Sequence, residues 1–315
     1  MIDPQPIPAT PTARTPSARA ALSDARRLAS SDRENFVVLS RLVPPHLRDD
    51  FAAVYAFCRH TDDLADENAL GPAGRADALA RLADARVHLH AALDNLDAPP
   101  MYAVLARTIR RHTIPIAYFD ALIDAFEQDQ RVTRYRTWAA LLDYCTRSAD
   151  PVGRIVLVLA GHRPSSENPA TAGLEAMSDK VCTGLQLANF WQDVGPDLAH
   201  RDRVYLPEDE TGLDASTLRD WAARPGDRDA RARYRDSLRP LVLRTRNLFD
   251  QAETLHRRVH PSVAAPVWLF RRAGIRLLDK IERTGYSTLW HRPRIGKADR
   301  LSMLIGAWWI ARSAA

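Results

Sequence analysis

Apolar residues recur at helical spacing through most of the chain. Leu47, Phe51, Val54, Tyr55 and Cys58 stand at i, i+4, i+7, i+8 and i+11, and Met177, Val181, Leu185, Ala188 and Trp191 repeat the step further on. Steps of three and four gather side chains on one face of an α-helix, so each run predicts an amphipathic helix with a buried stripe. No sustained alternation of apolar and polar positions with hairpin turns interrupts this pattern. The breaks fall at proline and glycine, at Pro44-Pro45, Gly71-Pro72, Pro99-Pro100, Pro164, Pro207, Pro225 and Pro261. Proline reads here as punctuation between helices rich in Ala, Leu and Arg. The pattern predicts an all-α single domain of about eight or more helices over residues 21–315. The segment from His200 to Arg246, crowded with Arg and Asp, reads as a surface loop followed by a solvated helix.

Composition narrows the class. Of 315 residues, 46% are hydrophobic and 26% charged, the balance of a water-soluble globular chain. Residues 1–20, with Pro4, Pro6, Pro8, Pro11 and Pro16, read as a flexible tail; without a basic segment leading into an apolar core, a cytoplasmic location is expected. The longest apolar stretches, Ile155 to Gly161 and Leu301 to Ala311, fall short of the roughly 20 residues that span a bilayer. The second, with Trp308 and Trp309, fits a terminal helix packed on the core or a peripheral contact with the inner membrane. Cys58, Cys145 and Cys182 lie far apart with no CxxC pair, which argues for a reducing compartment and against a zinc or disulfide scaffold. The net charge of +5 comes from 44 basic residues interleaved with 39 acidic ones, so nucleic acid is not an expected partner.

Two acidic boxes carry the candidate chemistry. Asp62 and Asp66, and Asp193 and Asp197, are each spaced to sit one helical turn apart. The spacing alone carries nothing: a chain this rich in Asp contains DxxxD roughly three times by accident, and a third instance, Asp120 and Asp124, reads as a solvated face. Context separates them. Asp62 continues the inward stripe of Phe51, Tyr55 and Cys58, with Arg59 three residues before it, and a carboxylate pair on a buried face is costly unless a cation or metal compensates it. Gln186, Asn189, Asp193 and Asp197 form a polar stripe at i, i+3, i+7 and i+11 along an otherwise apolar helix. Two carboxylate clusters facing one cavity suit two or three Mg²⁺ ions bridging a diphosphate leaving group. The carbocation left behind needs an apolar, aromatic pocket, for which Phe36, Tyr55, Phe57, Tyr144, Phe190 and Trp191 are candidates.

Together these residues resemble the squalene and phytoene synthase family, the head-to-head prenyl synthases. The resemblance rests on Tyr55-Ala56-Phe57-Cys58-Arg59 leading into Asp62-Asp63-Leu64-Ala65-Asp66-Glu67, on Tyr144-Cys145 followed by Val152-Gly153, on Gln186-Leu187-Ala188-Asn189 leading into Asp193 and Asp197, and on Arg203-Val204-Tyr205-Leu206-Pro207. These occur in family order over about residues 30–295. Glu34-Asn35-Phe36, Val43-Pro44-Pro45-His46-Leu47-Arg48, Asp150-Pro151-Val152-Gly153-Arg154 and Asn189-Phe190-Trp191-Gln192-Asp193-Val194 look like its hydroxysqualene-forming branch from hopanoid pathways. The resemblance implies a helical isoprenoid-synthase bundle with a central cavity and Mg²⁺-assisted conversion of presqualene diphosphate to hydroxysqualene. No NADPH is expected, in keeping with the lack of a strand-turn-helix GxGxxG signature. It further implies metal ligation by Asp62, Asp66, Asn189, Asp193 and Asp197, and diphosphate binding by Arg59. Tyr55 and Tyr144 would line the reacting centre, Phe36 would close it, and Gln186 would orient substrate or water. Arg203 and Tyr205 would belong to a loop over the diphosphate, and a partner synthase would supply the substrate.

Three departures stand out. Pro196 replaces a Glu that many relatives carry before the last Asp of the second box, Gly274 stands where several place a Tyr, and Val37 follows Phe36 where this branch often has Pro. Two other readings compete: condensation of two prenyl diphosphates, as in presqualene diphosphate or phytoene synthesis, and a helical assembly protein that kept the fold without the chemistry.

Overall fold

The computed structural model of the protein describes residues 42–66 and 71–313. The tail 1–20, Glu34-Asn35-Phe36, Val37 and Glu67 lie outside the described residues. Proline marks helix starts as its fixed φ and missing N–H dictate, standing in the first turn of α2 (Pro72–Leu93), α3 (Pro100–His112), α6 (Asp150–Leu159) and α13 (Pro261–Arg283). Before them runs α1 (Arg48–Asp66), and between them α4 (Ile116–Asp129) and α5 (Trp138–Ser148). Then come α7 (Ala172–Gln192), α8 (Val194–Arg201), α9 (Glu208–Thr211), α10 (Ala215–Ala223), α11 (Arg228–Gln251), α12 (Leu255–Arg258) and, at the end, α14 (Lys297–Ser313). These fourteen α-helices, with no strand among the described residues beyond an isolated bridge pairing Arg134 with Val204, make the fold all-α.

α1 packs on α2, α3 and α4, while α7 runs through the middle against α5, α6, α11 and α13. One continuous apolar core joins both groups. The predicted stripes point into it: Phe51 and Val54 from α1, and Met177, Val181, Ala188 and Trp191 from α7, are buried. Trp191 stacks on Trp138 and donates from Nε1 to Thr245 Oγ1 at 2.8 Å, locking α7 between α5 and α11.

Three expectations are corrected. Proline is not only punctuation: Pro240 and Pro266 lie inside α11 and α13, each removing one backbone bond that packing of the apolar face outweighs. The His200–Arg246 segment is no solvated surface, because Val204, Tyr205 and Leu206 are buried and α11 buries Tyr234, Leu238, Leu241 and Val242. Phe57 and Trp191 are fully enclosed core side chains, not cavity walls.

Candidate active site

The first box ends a helix, and so does the carboxylate opposite it. Asp62 and Asp66 occupy the last turns of α1, Asp129 is the final residue of α4, and Gln130 Nε2 donates to the Ala65 carbonyl at 3.1 Å, tying the two ends together. Helix C-termini already carry partial negative charge, so carboxylates there call for cations. Two arginines provide them. Arg201 Nη2 lies 2.7 Å from Asp66 Oδ2 and its Nη1 4.0 Å from Asp197 Oδ1, while Arg203 Nη1 lies 3.4 Å from Asp66 Oδ1 and 3.8 Å from Asp129 Oδ2. The two boxes, 131 positions apart in sequence, therefore meet across Arg201.

The turn after α8 makes this possible. Asp202 caps the helix in the left-handed region at φ 52°, a conformation Asp tolerates, and its carboxylate receives Arg134 Nη2 at 2.5 Å. The chain then runs beside residues 133–136, with Val204 N donating to the Thr133 carbonyl at 2.9 Å and Glu208 N to that of Tyr135 at 3.1 Å. Arg203 is thereby held nearly buried between the boxes. Burial works against its charge, and Asp129, Tyr205 and Asp66 more than reverse that, holding the guanidinium protonated.

The second box is not one helix. α7 ends at Gln192 and α8 begins at Val194, with Asp193 as the joint at φ −105°, ψ 15°. Pro196 falls in the first turn of α8, where its missing N–H costs no helical bond. Backbone bonds continue across the joint, Asp193 N donating to the Asn189 carbonyl at 2.9 Å and Asp197 N to that of Asp193 at 2.8 Å, so the three stay one turn apart. Asp193 accepts both arms of Arg292, whose Nη2 lies 2.9 Å from Oδ2, whereas Asn189 faces a second cavity. Gln186 is half-buried on α7. Asp62 is held beside Arg59, which lies 3.4 Å from Asp62 and 2.6 Å from Asp63, and Tyr55, half-buried, shares its helix face two turns earlier.

Crowded carboxylates show their cost in their proton affinity. Asp62 is pushed up to about 6, first by loss of surrounding water and then by Asp66, with Arg59 opposing. Asp197 is pushed up to about 7 by burial and then by Asp193, with Arg201 and Arg203 opposing. Asp129 rises to about 6 through burial, held back by Arg203 and by the Tyr144 hydroxyl.

Behind this pole stands an aromatic wall. Tyr144 donates its hydroxyl to Asp129 Oδ2 at 2.8 Å, and Tyr205 donates to Oδ1 at 3.4 Å. Tyr205 stacks nearly parallel on Phe190 at 3.8 Å between ring centroids, and Tyr135 and Tyr144 pack within about 6 Å of it. Tyr205 lies in the loop between α8 and α9, as expected of a loop residue, and its side chain is buried. Burial and then Asp129 hold the Tyr144 hydroxyl well above its ordinary value, so it stays protonated.

Two cavities flank these groups. The first, about 230 Å³, is lined by Asp66, Arg75, Asp129, His200, Arg201 and Arg203. The second, about 220 Å³, is lined mainly by Leu185, Asn189, Phe270, Leu277, Ile295 and Met303. Gly274 also borders it, and a Cβ there would overlap the Phe249 ring, so the Tyr that several relatives carry has no room at this position. Among the described residues no three acidic, His or Cys side chains converge on one point. Paired carboxylates plus one amide oxygen are hard donors, and Mg²⁺ is commonly held by one or two carboxylates together with substrate phosphates, so the donor set fits that ion.

Sequence reasoning missed Asp129, Arg201 and Arg292. Arg201 had a local signal, four residues after Asp197, whereas Asp129 and Arg292 reach the site only through the fold.

The solved squalene synthase HpnC from Alicyclobacillus acidocaldarius superposes with a TM-score of 0.70 at 37% identity, covering 85% of this chain and 95% of that one. A dehydrosqualene synthase structure superposes at 0.74 with 19% identity, covering 94% and 98%. The fold is that of the helical isoprenoid synthases. The squalene/phytoene synthase family model matches residues 29–299, and the chain belongs to that family of prenyltransferase-type enzymes, which act on isoprenoid diphosphates. A hydroxysqualene synthase of Zymomonas mobilis is 32% identical over 273 residues, 86% of this chain and 85% of that protein. A 15-cis-phytoene synthase of Paracoccus sp. is 31% identical over 299 residues, 89% and 88% of the two chains.

Proposed function

We propose that this chain converts presqualene diphosphate to hydroxysqualene with the help of Mg²⁺. The observation that carries the chemistry is the meeting of both aspartate boxes across Arg201, with Arg203 joining the first box to Asp129 beside Tyr144 and Tyr205. Support for the water-capturing reaction over condensation comes from hydroxysqualene synthases at 32% and 33% identity and from the branch-like stretch Asn189–Val194.

Asp62 and Asp66 on one side, and Asn189, Asp193 and Asp197 on the other, would hold the metal. Mg²⁺ held there would supply charge neutralisation for the leaving diphosphate. Arg59, Arg201 and Arg203, now engaged by carboxylates, are close enough to turn toward phosphate oxygens, for which a guanidinium is a matched donor. The carbon–oxygen bond breaks with its electron pair going to diphosphate, leaving a cyclopropylcarbinyl cation. The ring faces of Phe190, Tyr144 and Tyr205 stabilise that cation, and the Asp129 bonds fix both hydroxyls away from attack on it. Rearrangement is followed by capture of a water oriented by Gln186: the water's lone pair forms the new carbon–oxygen bond and its proton passes to the departed diphosphate, giving the alcohol.

The test supplies purified protein with presqualene diphosphate, and separately with farnesyl diphosphate, with and without Mg²⁺ and without NADPH, and identifies products by mass spectrometry. Metal-dependent hydroxysqualene from the first substrate is the expected result. A cyclopropyl diphosphate formed from farnesyl diphosphate, the reaction type favoured by the likeness to phytoene synthase, would move the chain to the condensing branch.

A further inference from the structure

α14 is apolar on two opposite faces. Its inner face buries Met303 and Ala307 against Ala265 and Leu269 of α13, and Gly306 lies so close to Trp268 that a Cβ would overlap the ring. Its only acid, Asp299, is turned inward and held by Arg276 Nε and Lys280 Nζ, each at 2.8 Å. The outer face carries Leu301, Ile305, Trp308 and Trp309, exposed by 60%, 52%, 48% and 62%. Five other exposed large hydrophobic side chains among the described residues are scattered over separate segments, and none is aromatic.

The pattern of charge around this face is one-signed. Lys297, Leu301, Ile305, Trp308 and Arg312 follow at i, i+4, i+8, i+11 and i+15, so one exposed stripe has four large apolar groups, counting Trp309 beside it, bracketed by a cation at each end. The exposed Arg312 places its guanidinium 4.8 Å over the Trp308 ring, so cation and tryptophan share one end of the stripe. A helix with paired tryptophans, aliphatic neighbours and flanking cations suits the plane where acyl chains meet anionic headgroups. A protein partner would need acids in register with both ends of the stripe, whereas a lipid surface needs none. No described helix is long and apolar enough to cross a membrane, so contact would be along the surface.

We infer that α14 is a membrane-docking helix that lays Leu301, Ile305, Trp308 and Trp309 into an anionic lipid surface. Its inner edge supplies Met303 and Arg300 to the second, mainly apolar cavity, so docking brings that cavity's rim to the bilayer. Release of an apolar isoprenoid product into the lipid rests on the function proposed above, and the docking itself does not.

The test is flotation of the full chain with phosphatidylcholine vesicles and with vesicles containing equal parts phosphatidylglycerol, measured without substrate. The native protein is expected to float with the anionic vesicles. Trp308→Ser/Trp309→Ser should lower its partitioning at least tenfold with unchanged helicity and melting temperature. Lys297→Glu/Arg312→Glu, which leaves the apolar face intact, should lower partitioning to anionic vesicles selectively. Brominated acyl chains should quench tryptophan fluorescence of the native protein. An unbound native protein, equal flotation of the tryptophan variant, or flotation without quenching would overturn the inference. A native dimer that the tryptophan substitutions split, with no flotation, would assign the face to a second copy instead and equally overturn it. Docking measured this way stands or falls apart from which product the enzyme makes.

Discussion

Asp62 and Asp66 on α1, and Asp120 and Asp124 on the neighbouring α4, have identical spacing and different surroundings. The second pair is served by one half-buried arginine: Arg86 lies 3.1 Å from Asp120, 2.5 Å from Asp124 and 3.2 Å from Glu127, with His90 3.0 Å from Asp120. The pair was expected to be a solvated face; Asp124 is exposed, whereas Asp120 is half-buried against an arginine and a histidine from α2. The first pair draws its cations from Arg59, three residues before Asp62, and from Arg201 and Arg203 far along the chain, and Asp62 is still pushed up to about 6, by loss of surrounding water first and then by Asp66. A DxxxD motif is thus made a site by what the fold brings opposite it, a second acidic box and the arginines between, and not by exposure, which is no lower at Asp62 than at Asp120.

The largest expected effect that would break this contrast is on the boxes themselves. Asp62→Asn or Asp193→Asn should lower turnover at least a thousandfold, roughly 4 kcal/mol in the barrier, with circular dichroism unchanged. Full activity in either variant would sink the two-box reading. Next comes the bridge: Arg203→Gln leaves Asp66 and Asp129 without their shared cation, and kcat/KM should fall about a hundredfold, near 2.7 kcal/mol.

The pH dependence of the metal-free protein sharpens the contrast without an assay of activity. Asp62 and Asp197 have folded-state values near 6 and 7, above the ordinary carboxylate value, so the folded state binds protons more tightly than the unfolded one. Their favourable contribution is full below about pH 4 and lost as pH rises through about 6 to 7. The melting temperature should therefore fall between pH 5 and 8, and Asp197→Asn should flatten that slope; an unchanged slope would show that Asp197 is not held in this environment. The smallest effects belong to the surface pair. Arg86→Ala should cost no more than about 1 kcal/mol in chemical denaturation, as exposed ion pairs do. Asp120→Asn should leave turnover within twofold, and a large loss there would show that the wrong pair had been taken as the site.

Legibility in the sequence followed the range of the interaction. The helical stripes of α1 and α7, the punctuating prolines and the Arg59–Asp62 pairing are all set within a few turns, where periodicity reads directly onto geometry. The polar stripe from Gln186 to Asp197 keeps its one-turn bonds through Asp193, but spacing alone does not reveal that two helices join there. Tyr205 was expected in a loop and is in one, but nothing nearby in sequence shows Phe190, Tyr135 and Tyr144 closing around its ring.

By itself the sequence determined an all-helical chain, two acidic boxes at one-turn spacing, and the family whose motifs they carry, since helical period and short motifs are local properties of the chain. Only the tertiary structure decided that Asp129 and Arg292 belong with those boxes, that Arg201 and Arg203 bridge them, and that α14 leaves a tryptophan face outward. Those facts depend on which helix ends meet and which faces stay uncovered, and such encounters between distant residues follow from the packing of the whole core.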